Sequence, residues 1–289
     1  MFLALIKTLR PQQWFKNLFV AAPLFFALRL FDADSLLRTA AAVGLFSLVS
    51  GCVYVLNDLV DVEQDRLHPQ KRHRPIAAGN LPTGVARSFL VVAVPVCMGT
   101  AALLSLPYAG ALATYFVLNL GYSFRLKKIA YLDVLCIAVF FILRVLAGAF
   151  AIDVEPSPWL LACTFLLAMF LGFGKRAHEL AGSEEADRQR AALASYNLAG
   201  LRWSLHALAV LVVVIYVLYT RSEHTIATFG TDALVYTVPY PVFGILRFIH
   251  LATTRHEAES PTEEMLRDPL FMLNLALYVA TTGAILYFG

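Results

Sequence analysis

Long apolar windows joined by short polar connections organise this chain from end to end. Nearly charge-free stretches run over 39–57, 134–152, 156–174, 203–220, 233–254 and 269–289, interrupted only by Arg144 and Arg247. No charged side chain falls between Arg87 and Arg125. As helix at ~1.5 Å per residue that run is about 55 Å long, too long for one ~30 Å hydrocarbon core. It must cross twice, and the turn is read at Leu106-Pro107-Tyr108-Ala109-Gly110, where proline and glycine punctuate the run. A ninth window, 14–31, has a core short enough for a signal peptide, but the bulky Phe-Phe-Ala-Leu-Arg-Leu-Phe after it offers no small-x-small exit. Continuous apolar runs of this length predict transmembrane helices, whereas a β-barrel would show dyad alternation. The expectation is an all-α polytopic membrane protein of nine transmembrane helices in one domain.

Charge placement orients the bundle. With nine crossings, Lys and Arg fall on the side of the N-terminus, except for Arg29, Arg38 and Arg221 opposite and the two arginines inside spans. The positive-inside rule puts the N-terminus and the polar connections in the cytoplasm and the C-terminus outside, as in a bacterial plasma membrane protein. Composition agrees: 59% hydrophobic and 15% charged over 289 residues, against about 25% charged for a soluble domain. The net charge of +3 implies no nucleic-acid partner, because acidic residues share the basic side. A homo-oligomer is compatible with this pattern. Cys52, Cys97, Cys136 and Cys163 lie in apolar windows without CxxC spacing and read as small buried hydrophobes.

Three connections on the predicted cytoplasmic side, about 57–84, 122–133 and 175–200, carry the candidate chemistry. Asn57, Asp61 and Asp65 recur every four residues, so a helix continuing out of its span sets them on one stripe with Asp58 beside them. Oxygen ligands stacked on one face repel one another without a cation, and they suit Mg2+, which binds through one or two carboxylates plus substrate phosphates. Arg66, Lys71, Arg72 and Arg74 follow at once. Carboxylates for a metal beside cations for phosphate oxygens describe a metal-diphosphate site. A solvated helix end and simple binding to lipid headgroups are the competing readings.

The stretch Asn57-Asp58-Leu-Val-Asp61-Val-Glu-Gln-Asp65-Arg66-Leu-His68-Pro69-Gln-Lys71-Arg72-His-Arg74-Pro75-Ile-Ala resembles the first aspartate-rich motif of the UbiA superfamily of intramembrane prenyltransferases. Its long form is similar to the phosphoribosyltransferase branch, as is the opening Arg10-Pro11-Gln12-Gln13-Trp14-Phe15-Lys16-Asn17. The resemblance implies a UbiA-like bundle over essentially the whole chain. It also implies Mg2+ as cofactor, 5-phosphoribosyl 1-diphosphate as donor and a polyprenyl (decaprenyl) phosphate as acceptor. Asp61 and Asp65 then stand as catalytic as well as metal-binding, with Asn57 and Asp58 completing the metal set. Lys16, Asn17, Arg66, Lys71 and Arg74 join the substrate-binding set.

In the second connection the resemblance matches Tyr122, Lys127 and Asp133, with Lys127 and Asp133 expected to be catalytic and Tyr122 to bind substrate. Users of isoprenyl diphosphates in the superfamily commonly carry two aspartates four residues apart here. This chain has Asp133 followed by Ile137, which favours the phosphoribosyl branch over a prenyltransferase acting on an aromatic or lipid acceptor. Arg144, about 16 Å farther along a helix, should face the interior and pair with an anion, either an aspartate or the lipid phosphate. Lys175 and Arg176 at the end of a span are helix-end cations to which the resemblance gives a phosphate-binding role, with His178 and Glu179 as an acid/base pair. His68 before Pro69 reads as a turn residue. The run 184–190 and the acidic connection 257–268 read as solvated. A transporter built around Arg144 and Arg247 is a third reading, disfavoured because polar residues gather at one edge rather than at the midplane.

Overall fold

The computed structural model describes residues 1–181, 195–254 and 261–289. Their secondary structure is helical: α1 Phe2–Leu9, α2 Ala22–Phe26, α3 Ala33–Val60, α4 Val62–Leu67, α5 Thr83–Leu104, α6 Leu106–Phe124, α7 Leu132–Ala151, α8 Pro158–Ala181, α9 Leu198–Arg221, α10 Glu223–Phe229, α11 Pro239–Thr254, α12 Pro261–Arg267 and α13 Pro269–Phe288. The run expected at 184–190 lies outside the described residues, as does the first part of 257–268.

Among the described residues seven helices are long and apolar enough to cross a membrane, not nine. They are Ala33–Val60, Thr83–Leu104, Leu132–Ala151, Pro158–Ala181, Leu198–Arg221, Ala233–Thr254 and Pro269–Phe288. The N-terminal window fails first. Pro11–Ala21 is a 3-10 segment followed by the five-residue α2, because Pro11, the polar run Gln12-Gln13 and Lys16-Asn17, and then Pro23 deny it a regular apolar helix. The other is α6, which has the length of a span but carries Tyr108, Tyr115, Asn119 and Ser123 as buried polar groups. The hydroxyl of Tyr108 donates to Ala42 C=O at 2.8 Å, and Ser123 Oγ to Asn119 C=O at 2.7 Å. The break before α6 comes at Ser105, in extended conformation. Pro107 then occupies the first turn of α6, where no backbone donor is needed.

The chain forms two compact units, 1–124 with 143–156 and 125–142 with 157–289, so α7 contributes its first half to the second unit and its second half to the first. In the first unit, Leu9, Val55, Ile76, Leu81 and Ala86 form a buried cluster under the first polar connection. Gly148 is needed there: a Cβ on it would collide with the Val20 carbonyl. In the second unit, Phe170, Leu205, Ile245, Phe248 and Leu251 build the core, and Gly172 lets Val134 pack against α8. Exposed Val91, Val92, Leu103, Leu246 and Leu273 are ordinary for a surface solvated by lipid.

Arg247, which only the disfavoured transporter reading placed on an ion path, makes a two-point ion pair with Asp268 at 3.0 and 2.6 Å. Asp268 also accepts the Phe271 N–H and so caps α13. This corrects the solvated reading of 257–268 at its end, since Asp268 is buried.

Candidate active site

The first unit assembles the first motif at a helix break. α3 stops at Val60 and α4 starts at Val62, with Asp61 between them. The predicted stripe survives the break: Asp61 N–H donates to Asn57 C=O at 2.9 Å, and Asp65 N–H to Asp61 C=O at 2.8 Å. Asp58 and Asp65 are 2% and 3% exposed. Burying two carboxylates requires compensating charge, and arginines supply it. Arg74 Nη1 donates to Asp58 Oδ1 at 3.2 Å and to Asp65 Oδ2 at 2.7 Å. Arg10 Nη2 adds a 2.7 Å bond to the same Asp58 oxygen and lies over the Tyr54 ring at 4.8 Å. Arg10 does this from a left-handed backbone (φ 53°) just after α1, a conformation costing about 1–3 kcal/mol that its ion pair offsets. Sequence spacing gave no sign of Arg10 as a partner of Asp58, because 48 residues separate them.

Among the described residues no three His, Cys, Asp or Glu side chains converge on a metal position, so an all-carboxylate cage is not what this motif builds. One atom does fit a cation. Asn57 Oδ1 is buried and has no hydrogen-bond partner among the described residues. A buried carbonyl oxygen without a donor costs about 1–3 kcal/mol, and it is the hard oxygen ligand that Mg2+ accepts. Asp61, half-buried, and Asp65 are the carboxylates of the same stripe. Asp58, expected as a further ligand, receives both arginines on its Oδ1.

The flanking residues are placed as follows. Arg66 donates to Ala77 C=O at 3.4 Å and pairs with Glu63. Lys71 is exposed in a short 3-10 turn. His68 Nδ1 accepts the Gln70 and Lys71 N–H groups at 3.2 and 3.3 Å, a turn role as expected. Deeper in the same unit, Arg144 is buried as predicted. Its Nε donates to Asn17 Oδ1 at 2.9 Å and its Nη2 to the Tyr115 hydroxyl at 3.2 Å, with the Phe46 and Tyr115 rings at 5.3 and 5.0 Å. Asn17 also donates to Ser47 and Ser50 and so ties three segments of the buried interior together. Lys16 Nζ donates to Gln13 at 2.6 Å. Tyr122 is half-buried near the end of α6.

The second unit holds a separate buried cluster. Asp133, at 0% exposure, opens α7 and accepts Arg176 Nε at 2.6 Å and the Tyr196 hydroxyl at 2.5 Å. Arg176, at 2% exposure, also reaches Glu179, and Lys175 Nζ stands 4.0 Å from the same carboxylate. Asp133 and Arg176, expected as catalytic and substrate-binding residues, are paired with each other and buried. Burial and the bond to Asp133 push the Tyr196 hydroxyl well above the usual phenol range, so it stays a donor. His178 Nδ1 lies 3.0 Å from Ala252 C=O. Lys127 sits in the 3-10 turn Leu126–Lys128 that leads into α7.

Comparison with known proteins matches residues 17–275 to the model of the UbiA prenyltransferase family. The decaprenyl-phosphate phosphoribosyltransferase of Mycolicibacterium smegmatis is 34% identical over 99% of this chain and 93% of its own length. That of Corynebacterium glutamicum is 34% identical over 93% of this chain and 82% of its own. Among solved structures, a UbiA homologue from Archaeoglobus fulgidus bound to DMAPP and Mg2+ superposes with a TM-score of 0.73 at 18% identity, covering 99% of each chain.

Proposed function

The chain belongs to the UbiA prenyltransferase family, and on that premise we propose that it transfers the phosphoribosyl group of 5-phosphoribosyl 1-diphosphate to a polyprenyl phosphate, releasing diphosphate. Relatives that align over nearly the whole chain carry the name of this reaction. The observation that carries the choice of donor is the second cluster. Ile137 stands where a second aspartate would be needed, and Asp133 is already neutralised by Arg176 and Tyr196. Among the described residues, the edge of the second unit at Asp133 therefore offers no open carboxylate pair for the further metal that an isoprenyl diphosphate would call for.

A divalent cation, Mg2+ by this reading, would be held by Asn57, Asp61 and Asp65 and would neutralise charge on the leaving diphosphate. The remaining work falls to side chains of the chain. Lys71 and Arg74 grip the donor phosphates, Arg74 while also holding the Asp65 carboxylate in place. The lipid phosphate oxygen attacks C1 of the ribose as the C1–O bond to diphosphate breaks, and the electron pair leaves with diphosphate. C1 is inverted. Positive charge accumulates on the ring in the transition state, as in glycosyl transfer generally. The acceptor is an anion at neutral pH, so no base has to remove a proton. Lys127 and Lys175, both in the second unit, are the cations assigned to that anion. The lipid tail lies among apolar helices of this multi-pass membrane protein, in the plasma membrane with the polar connections toward the cytoplasm, where a soluble sugar phosphate is met.

Purified protein in detergent with Mg2+ tests this by competition between two reactions. One offers ribose-labelled donor with polyprenyl phosphate, the other isoprenyl diphosphate with an aromatic acceptor. Label should enter the lipid fraction in the first alone. Product in the second alone would replace this reading with prenyl transfer.

A further inference from the structure

We propose that Tyr196 is a positioning residue whose hydroxyl clamps Asp133 and the Tyr131 backbone together and so sets Lys127 and Lys175 for the acceptor's phosphate. The inference rests on the assignment of those two lysines to the lipid phosphate. It concerns the second unit alone.

One oxygen atom makes both contacts. It donates to Asp133 Oδ1 at 2.5 Å and accepts the Tyr131 N–H at 2.6 Å. Tyr131 needs that anchor, because its backbone is left-handed at φ 66°, a region that non-glycine residues leave unless neighbours hold them. Tyr131 closes the connection whose 3-10 turn carries Lys127, so fixing its N–H fixes the far end of the segment. On the other side the clamp continues as a chain of charges. Asp133 holds Arg176, Arg176 holds Glu179, and Glu179 stands next to Lys175. Exposure rises along this chain. Asp133 and Arg176 are closed off, Glu179 is partly open, and the Lys175 side chain is 37% exposed. The buried members have no access to a substrate, whereas the last one does. A relay that costs two buried charges and ends on an accessible cation is suited to orienting that cation. The ring contributes separately, stacking on Tyr131 at 4.9 Å between centroids, so removing the hydroxyl alone leaves this packing in place.

The test uses full-length protein in detergent and farnesyl phosphate as a polyprenyl monophosphate probe. Tyr196→Phe should weaken its binding roughly tenfold, the scale of one hydrogen bond to a charged group. KM for the sugar donor should stay within about twofold, since the donor's phosphates are met by the first unit. Asn197→Ala is the comparison variant. It removes the neighbouring cap of α9, where Asn197 Oδ1 accepts Ala199 N–H at 2.9 Å, without touching Asp133. Weakening by Tyr196→Phe alone supports the clamp. Equal weakening by both variants, unchanged binding in Tyr196→Phe, or no probe binding by the wild type would overturn it. Should Tyr196→Phe fail to fold, Glu179→Gln reads the same relay farther along, with the same selective loss expected and retained wild-type affinity counting against the clamp. If the wild type binds the probe, Tyr196→Phe weakens it and no phosphoribosyl transfer occurs, the clamp stands and the donor assignment falls.

Discussion

Arg176 offers the sharpest energetic test of the second unit. Replacing it by Met removes the guanidinium that meets Asp133 Oδ2 at 2.6 Å and strands a carboxylate at 0% exposure. Breaking a buried pair from one side costs about 3–5 kcal/mol, because the remaining charge stays desolvated. The contact to Glu179 adds little. That side chain is 22% exposed, so solvent screening holds its share to roughly 0.2–1 kcal/mol. In the double variant Asp133→Leu/Arg176→Met the stranded charge is gone, and what remains is a Tyr196 hydroxyl without its acceptor, about 1 kcal/mol. The single change should thus be more damaging than the double, with a coupling of at least ~2 kcal/mol in a double-mutant cycle. Reversible unfolding in mixed micelles with increasing denaturing detergent reads this directly. Additive losses, or an Arg176→Met protein as stable as wild type, would refute the idea that Asp133 depends on this cation.

Four further outcomes follow from the first unit and from the C-terminal helices. Asp61→Asn should abolish turnover with unfolding unchanged, and Asn57→Ala should raise the Mg2+ concentration giving half-maximal rate; wild-type rates at saturating Mg2+ in Asp61→Asn would remove it from the metal set. Arg247→Ala should lower stability, because it strands the buried Asp268 carboxylate that caps α13, while the rate per folded molecule stays the same. A lost rate at full stability would revive a functional role for this intramembrane arginine. Gly148→Ala should prevent normal accumulation of folded protein, since its Cβ meets the Val20 carbonyl, and a well-folded variant in size-exclusion chromatography would contradict that packing.

Hydropathy carried most of the fold. The windows at 39–57, 134–152, 156–174, 203–220, 233–254 and 269–289 each fall on a long helix, because a run without charges that must satisfy its own backbone in lipid has little alternative. Hydropathy overcounted where tertiary pairing decides. The polar groups of α6 are satisfied inside the first unit, and the prolines near the N-terminus favour 3-10 turns over a span. The shared stripe of Asn57, Asp61 and Asp65 was legible as well, since four-residue spacing is a local property that survived even the break at Asp61. The partners of its carboxylates were not. Arg10 reaches Asp58, Tyr196 reaches Asp133 and Asp268 reaches Arg247 across 48, 63 and 21 residues, and no spacing rule links residues so far apart. Asp133 and Arg176 were visible as charged residues near a membrane edge, but their burial against each other is a tertiary fact.

The central claim is the identity of the transferred group, and mass analysis of the lipid product tests it most directly. Polyprenyl phosphate incubated with 5-phosphoribosyl 1-diphosphate, Mg2+ and the purified protein should gain one phosphoribosyl unit, with one diphosphate released for each lipid converted. A lipid phosphate of unchanged mass, alongside an isoprenylated acceptor when isoprenyl diphosphate is supplied instead, would contradict it.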